Sequence, residues 1–320
     1  MKHWNHLPKG NIHGIGFTSI ELPEEAVMKQ LSELPVSNTP KLAKELLDLQ
    51  KQAFADIENI PLRIRKNQSE FNPEQQTAFK NAVQKLVSDN GVYSNLVLVH
   101  SDMSHNMHGS MGSVGLLRFL AWHRRYLMEF EELLIAADRD LRPTATDRIY
   151  LPFWHWNDDF PSWLNGFLPS RHPANGSQVP VRSNIQPPQK PTNTDIGLIL
   201  NKFRDQLPGT NISDPDVADY VRFTYALEGW GLRPDNTSLP AHNHVHDWVG
   251  GIMSNTSFSP TDPIFWLHHA EVDRIWSVWQ QTHPNAHPPL NGTDRILDPW
   301  NATYDTVKSV EAMGYTYGSS

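Results

Sequence analysis

The segment "LLRFLAWHRRYLMEFEELLIAADRDL" (116–141) sets a histidine inside an apolar stripe. Leu116, Leu120, His123, Leu127, Phe130 and Leu134 step by four and three, the spacing of one helix face. A long helix with such a stripe commits the chain to packing helix on helix, and it carries His123 inward with the stripe. A buried imidazole is either a satisfied core group or a metal ligand, and its neighbours decide between the two. His100, His105 and His108 lie just upstream in "SNLVLVHSDMSHNMHGSMGSVG" (94–115), which turns Gly-, Ser- and Met-rich and reads as a loop. A helix can then fix one ligand while the preceding segment brings others.

Composition narrows the chemistry. The 320 residues include 16 histidines and 11 tryptophans but no cysteine, which excludes disulfides, thiolate metal sites and cysteine nucleophiles. Any metal must be held by imidazole and carboxylate, a donor set suited to zinc, copper, iron or nickel. A net charge of -8 and the lack of a basic run argue against nucleic acid and anionic membranes. No apolar run approaches the ~20 residues of a membrane span. The start, "MKHWNHLPKGNIHG", lacks the apolar core of a signal peptide, so a cytoplasmic protein is expected.

Elsewhere the pattern is again helical. Asn72 and Pro73 open a helix over 72–91, and helices are expected near 214–230, 242–249 and 261–281. Residues 161–195, rich in Pro, Asn and Ser, read as a long surface loop. Strand signals are few. The chain reads as mainly α, a single domain over 61–320 with a bundle core, preceded by a helical extension over 1–60 packed on it.

Two further clusters carry histidine. In "PAHNHVHDWVGG" (240–251), His242 and His246 are four apart and share a helix face, while His244 points away. In "FSPTDPIFWLHHAEVDRIW" (258–276), His268 and His269 are adjacent and diverge by about 100° on a helix, so both can hardly serve one ion. Both faces of this helix are apolar, and periodicity does not choose between them. Three imidazoles with an open position is a catalytic pattern, and two such sets on facing helices make a binuclear centre.

"FLAWHRRYLMEFE" (119–131) and "DPIFWLHHAEVD" (262–273) resemble the two copper signatures of the type 3 copper family: tyrosinases, catechol oxidases and molluscan-type hemocyanins. "HNHVHDWVGG" between them and Tyr315-Thr316-Tyr317 near the end match as well, so the likeness runs over roughly residues 60–320. The resemblance implies a central four-helix bundle holding a binuclear copper site of two copper ions. It makes His123 a ligand of the first copper, and His242, His246 and His269 ligands of the second. His269 is chosen by its signature distance from Asp262 and Asp273. Relatives carry a further histidine about nine positions before the equivalent of His123, where this chain has Val114. His108 is taken in its stead and His100 as the first ligand, with His105 the rival to either. His155 stands where relatives have Asp and is read as a supporting group. His3, His6, His13, His172, His283 and His287 are read as solvated. Asp273 is expected to support the His269 ring or to pair with a cation such as Arg274.

The implied reaction takes a phenolic small molecule and dioxygen: ortho-hydroxylation of a monophenol, then oxidation of the o-diphenol to an o-quinone. The resemblance assigns the proton step to Asn243, just after His242, with an upstream glutamate; Glu228 is the nearest, and an ordinary helix-end carboxylate is its other reading. Asp247 would put negative charge near the mouth and favour amine-bearing phenols. The same coppers serve catechol oxidases and o-aminophenol oxidases without monophenolase activity, and hemocyanin-like dioxygen carriers. Several relatives carry a covering domain beyond the Tyr-x-Tyr element; none is expected here, which favours the open enzyme, with residues 1–60 the other candidate to lie over the site.

Overall fold

The structure, a computed structural model, describes residues 62–318 except 90, 110–112, 173–174, 184–189 and 202–211. The expected extension over 1–60, with His3, His6 and His13, lies outside them. Helix α1 (Pro73–Ser88) starts where Asn72 and Gln75 cap each other reciprocally, with Pro73 at the first position. Gly91, at φ 80°, turns the chain into α2 (Val92–Ser101). Ser113 caps α3 (Val114–Leu141) by accepting the Leu116 N–H. There follow α4 (Asn193–Asn201), α5 (Pro215–Tyr225), a π-type turn (Ala226–Trp230), α6 (His242–Val249), α7 (Ile264–Thr282) and the short α8 (Tyr304–Val307). Among the described residues no helix is long and apolar enough to cross a membrane.

Helix α3 is the axis of the fold. It packs along α1, α5 and α7, and α6 packs on α7. Its stripe is buried as expected, from Leu116 to Leu134, and His123 is buried with it. Phe130 stacks on Trp266 of α7 at 4.0 Å between ring centroids. The mainly helical bundle with long loops and few strands is therefore the fold found. One expectation fails: residues 94–115 are not loop from the start, because α2 runs through Ser101. Its "LVLV" run shows no amphipathic alternation because the residue on its exposed face, Leu98 at 41% exposure, is apolar too. Leu96 and Val97 are buried, and the Tyr126 hydroxyl of α3 donates to the Leu96 carbonyl at 2.7 Å.

The two ends of the described chain meet in a parallel pair, β1 (Arg63–Arg65) with β2 (Tyr315–Tyr317). What fixes this pair on the bundle is Asp273 of α7. It accepts from Arg124 of α3 at 2.5 Å, from Arg65 at 3.3 Å, and from the Tyr315 and Tyr317 hydroxyls at 2.6 and 2.5 Å. Arg65 also bonds Glu131 of α3 at 2.9 Å and lies 3.7 Å above the Tyr315 ring. Of the two roles expected for Asp273, it takes the ion pair, but with Arg65 and Arg124; Arg274 turns instead to Glu271, at 2.6 and 2.8 Å. Burial opposes the Asp273 charge, yet Arg124, Arg65 and the tyrosine hydroxyls hold its pKa below the ordinary value of 3.8. A depressed carboxylate stabilises the fold above its ordinary pKa, and that contribution is lost as pH falls through the folded-state value. Removing one partner strands buried charge. Asp273→Ala is expected to lower unfolding free energy by about 3–5 kcal/mol in urea titrations, whereas a change below 1 kcal/mol would show that the hub is not holding the ends.

Candidate metal centre

Seven buried or nearly buried imidazoles form two clusters, His100, His108 and His123 in one, and His242, His246, His268 and His269 in the other. Five of the six sequence-expected ligands are helix-borne: His100 on α2, His123 on α3, His242 and His246 on α6, His269 on α7. His108 comes from the loop between α2 and α3. Gly115 explains how the loop reaches there: a Cβ on it would meet the His108 carbonyl oxygen at 1.8 Å, so only glycine lets the loop lie on the first turn of α3.

The ring nitrogens converge. In the first cluster, His100 Nε2 is 3.2 Å from His108 Nε2 and 3.4 Å from His123 Nε2. In the second, His242 Nε2 is 3.1 Å from both His246 Nε2 and His269 Nε2, which are 3.4 Å from each other. Four of these rings have their tautomer fixed by what Nδ1 meets, whereas His269 Nδ1 is buried without a hydrogen-bond partner. His123 Nδ1 donates to the Phe119 carbonyl at 2.8 Å, His246 Nδ1 to the Met253 carbonyl at 2.8 Å and His100 Nδ1 to the Ser257 carbonyl at 3.3 Å. A carbonyl only accepts, so the proton of each neutral ring sits on Nδ1 and its Nε2 presents a lone pair. His242 Nδ1 likewise faces the Asn243 amide oxygen at 2.9 Å. Burial pushes these imidazoles down, His246 to about 4 and His108 to about 3, so they are neutral at ordinary pH. Lone pairs facing one another in a dry interior repel, and a cation between them removes the repulsion. Tetrahedral donors about 2.0–2.1 Å from a metal lie about 3.3 Å apart, which is the spacing found. The two clusters touch, His123 stacking on His269 at 4.5 Å.

His268 is a different kind of neighbour. Its Nδ1 accepts the Trp156 indole N–H at 3.0 Å, which leaves the proton on Nε2, a buried atom without a hydrogen bond of good geometry. Its ring stacks on His242 at 5.1 Å. The lone pair that could face an ion is thus engaged by Trp156. His105 turns away from both clusters to Asp298, at 2.5 Å, and His155 to Glu271, at 2.9 Å. His172, expected in solvent, is instead only 9% exposed and packs edge-on against Phe258 at 4.4 Å. His283 is half-buried on Trp279, and His287 is exposed.

Glu228 and Asn243 arrive together. The π-type turn after α5 places Gly229 at φ 118°, where a Cβ would meet Asn243 Cβ at 3.0 Å, so the turn lies directly on the start of α6. Glu228 is buried, with Oε1 3.9 Å from His108 Nδ1 and 3.5 Å from the Gly109 N–H, and with Oε2 unpartnered. Burial pushes its pKa up to about 8, against the Gly109 and Trp230 contacts. Asp247 is exposed. Phe265, which the helix pattern sets beside His269, lies 4.1 Å from that ring and also 5.1 Å from His100 of the other cluster, a contact that sequence reasoning missed. Its place four residues before His269 on one helix face accounts for the first contact, and no local pattern marks the second.

Residues 90–282 match the common central domain of tyrosinase. The chain belongs to the tyrosinase family. It is 31% identical over 297 residues to a tyrosinase of Streptomyces galbus, covering 80% of this chain and 99% of that one. It is 26% identical over 314 residues to the grixazone synthase of Streptomyces griseus, again covering 80% of this chain and 99% of the other. A functional unit of octopus hemocyanin superposes with a TM-score of 0.55 at 21% identity, over 80% of this chain and 68% of that one, a likeness of fold. The two histidine clusters are therefore the seats of a type 3 pair of copper ions, and the protein is a tyrosinase-family oxidoreductase.

Two outcomes follow from the hydrogen bonds. His269→Ala is expected to lose one of two bound copper ions by metal analysis, whereas His268→Ala keeps both; reversed losses would contradict the role given to Trp156. His155 has its pKa raised from 6.5 chiefly by its hydrogen bond to Glu271. A raised histidine stabilises the fold below its ordinary pKa, and the effect is lost as pH rises through the raised value. His155→Gln is therefore expected to lower Tm on the acid side of 6.5 more than on the alkaline side, and a pH-independent difference would contradict the pairing.

Proposed function

We propose that the protein hydroxylates monophenols ortho to the hydroxyl and oxidises o-diphenols to o-quinones with dioxygen, using His100, His108 and His123 on one copper and His242, His246 and His269 on the other. Neutral imidazole ligands leave a bound copper pair free to cycle between cuprous and cupric states, which supplies the redox chemistry with dioxygen. The remainder is the work of the chain's own groups.

The observation that carries the hydroxylase reading is that the turn of Glu228 lies against Asn243, through Gly229, at the edge of the clusters. Glu228 offers one buried carboxylate oxygen without a partner, beside His108. A monophenol must lose its hydroxyl proton before its oxygen can bind a metal, and Glu228 in its ionised form, made a stronger base by the burial that raises its pKa to about 8, is placed to accept it, directly or through one water. Asn243 Oδ1 keeps the His242 proton on Nδ1, leaving its amide N–H groups for a water or the phenol oxygen. His108 and Asn243 are only partly buried, and they mark the side on which a phenol approaches. A catechol, whose hydroxyl is more acidic, depends less on the base.

The similarity to grixazone synthase keeps o-aminophenol oxidation in the same frame, and substrate assays separate the readings. Glu228→Gln keeps shape and removes the base. It is expected to lower monophenol turnover by about 10²–10⁴-fold while catechol oxidation stays within a few-fold. Equal loss on both substrates, or a wild-type enzyme that oxidises only catechols, would overturn the proposal.

A further inference from the structure

His108 is the one expected ligand not built on a helix, so something else must hold it still. Behind it, the Gly109 N–H reaches Glu228 and Gly115 receives its carbonyl. Ahead of it, the loop is gripped by a segment that contributes no group to either cluster. His105 Nδ1 meets Asp298 Oδ2 at 2.5 Å, and its ring lies over the Trp122 indole at 6.2 Å and 29°. Asp298 is held in turn by α3: Arg118 donates to its carboxylate and to the Ile296 carbonyl, and Trp122 Nε1 donates to the Asp298 carbonyl at 2.7 Å. Both anchors stand on the helix that carries His123, so Asp298 ties the loop of one ligand to the helix of another. Between His105 and His108 lie only Asn106, held at φ 48°, and the fully buried Met107.

We propose that Asp298 and His105 are positioning residues for the first copper site, forming a latch that holds the 102–109 loop so that the His108 imidazole is already aimed at His100 and His123 before the ion arrives. This rests on the ligand reading above. Aiming a ligand in advance removes an ordering cost from binding. A bond between exposed groups contributes little to stability, but the Asp298 partners are not exposed: the side chains of His105 and Arg118 are 13% and 4% accessible, against 44% for Asp298. The latch acts on one site, because the second cluster stands wholly on α6 and α7.

The test uses full-length protein in two backgrounds, His269→Ala, which keeps the first site, and His123→Ala, which keeps the second. Copper affinity is read by competition with a chelator of known affinity. Adding His105→Ala is expected to weaken copper about tenfold, the low end for groups that orient a ligand, in the His269→Ala background and to leave the His123→Ala background unchanged. His105→Gln, whose amide can still donate to Asp298, is expected to restore most of the loss. Asp298→Asn, of the same shape, is expected to give a milder loss in the same background and serves if His105→Ala does not fold. No loss in the His269→Ala background, or equal losses in both, would overturn the latch. Backgrounds that still bind two copper ions would instead overturn the ligand reading.

Discussion

Unprotonated imidazole nitrogens that face one another in a dry interior are the constraint around which this molecule is arranged. Such a cluster is unfavourable without an ion, and it forms only because the surrounding fold leaves the rings no alternative. The backbone carbonyls of Phe119, Ser257 and Met253 take the Nδ1 protons, which fixes the tautomer that turns Nε2 inward. Burial keeps the rings neutral. Copper binding and folding are therefore linked: part of the free energy of binding two ions offsets the repulsion stored in the frame.

The frame divides into a stiff part and a permissive part. Stiffness comes from α3 and α7, each carrying a ligand, locked by Arg124 on Asp273 at one point and by His123 stacked on His269 at another. The permissive part is the loop of His108 and the π-type turn of Glu228, where glycines at 115 and 229 allow backbone to approach within a distance that any side chain would prevent. Glu228, assigned to proton transfer, and His108, on the side of substrate approach, stand on this second part, while the other five expected ligands stand on helices.

Much of this was legible in the sequence. The stripe through His123 announced a buried histidine, and the four-residue spacing of His242 and His246 announced a shared face. The adjacent His268 and His269 were not separable by periodicity, since both helix faces are apolar. What distinguishes them is a tertiary hydrogen bond from Trp156, 112 residues away. The loop reading of residues 94–101 failed because the run of Leu and Val is apolar on its exposed face as well, Leu98 included, and so shows no amphipathic period. The solvated reading of His172 failed because a polar, Pro-rich neighbourhood says nothing about Phe258 lying across the ring. The anchoring of His105 by Asp298 was likewise hidden, as no local pattern marks two groups 193 residues apart.

The central claim is that the two clusters are adjacent seats for one coupled copper pair. Electron paramagnetic resonance of the cupric protein, with copper content measured on the same sample, tests it most directly. Two copper ions per chain with little or no cupric signal is the result expected of ions close enough to couple their spins. Two copper ions giving the full signal of isolated cupric centres, or uptake of a single ion, would contradict the account.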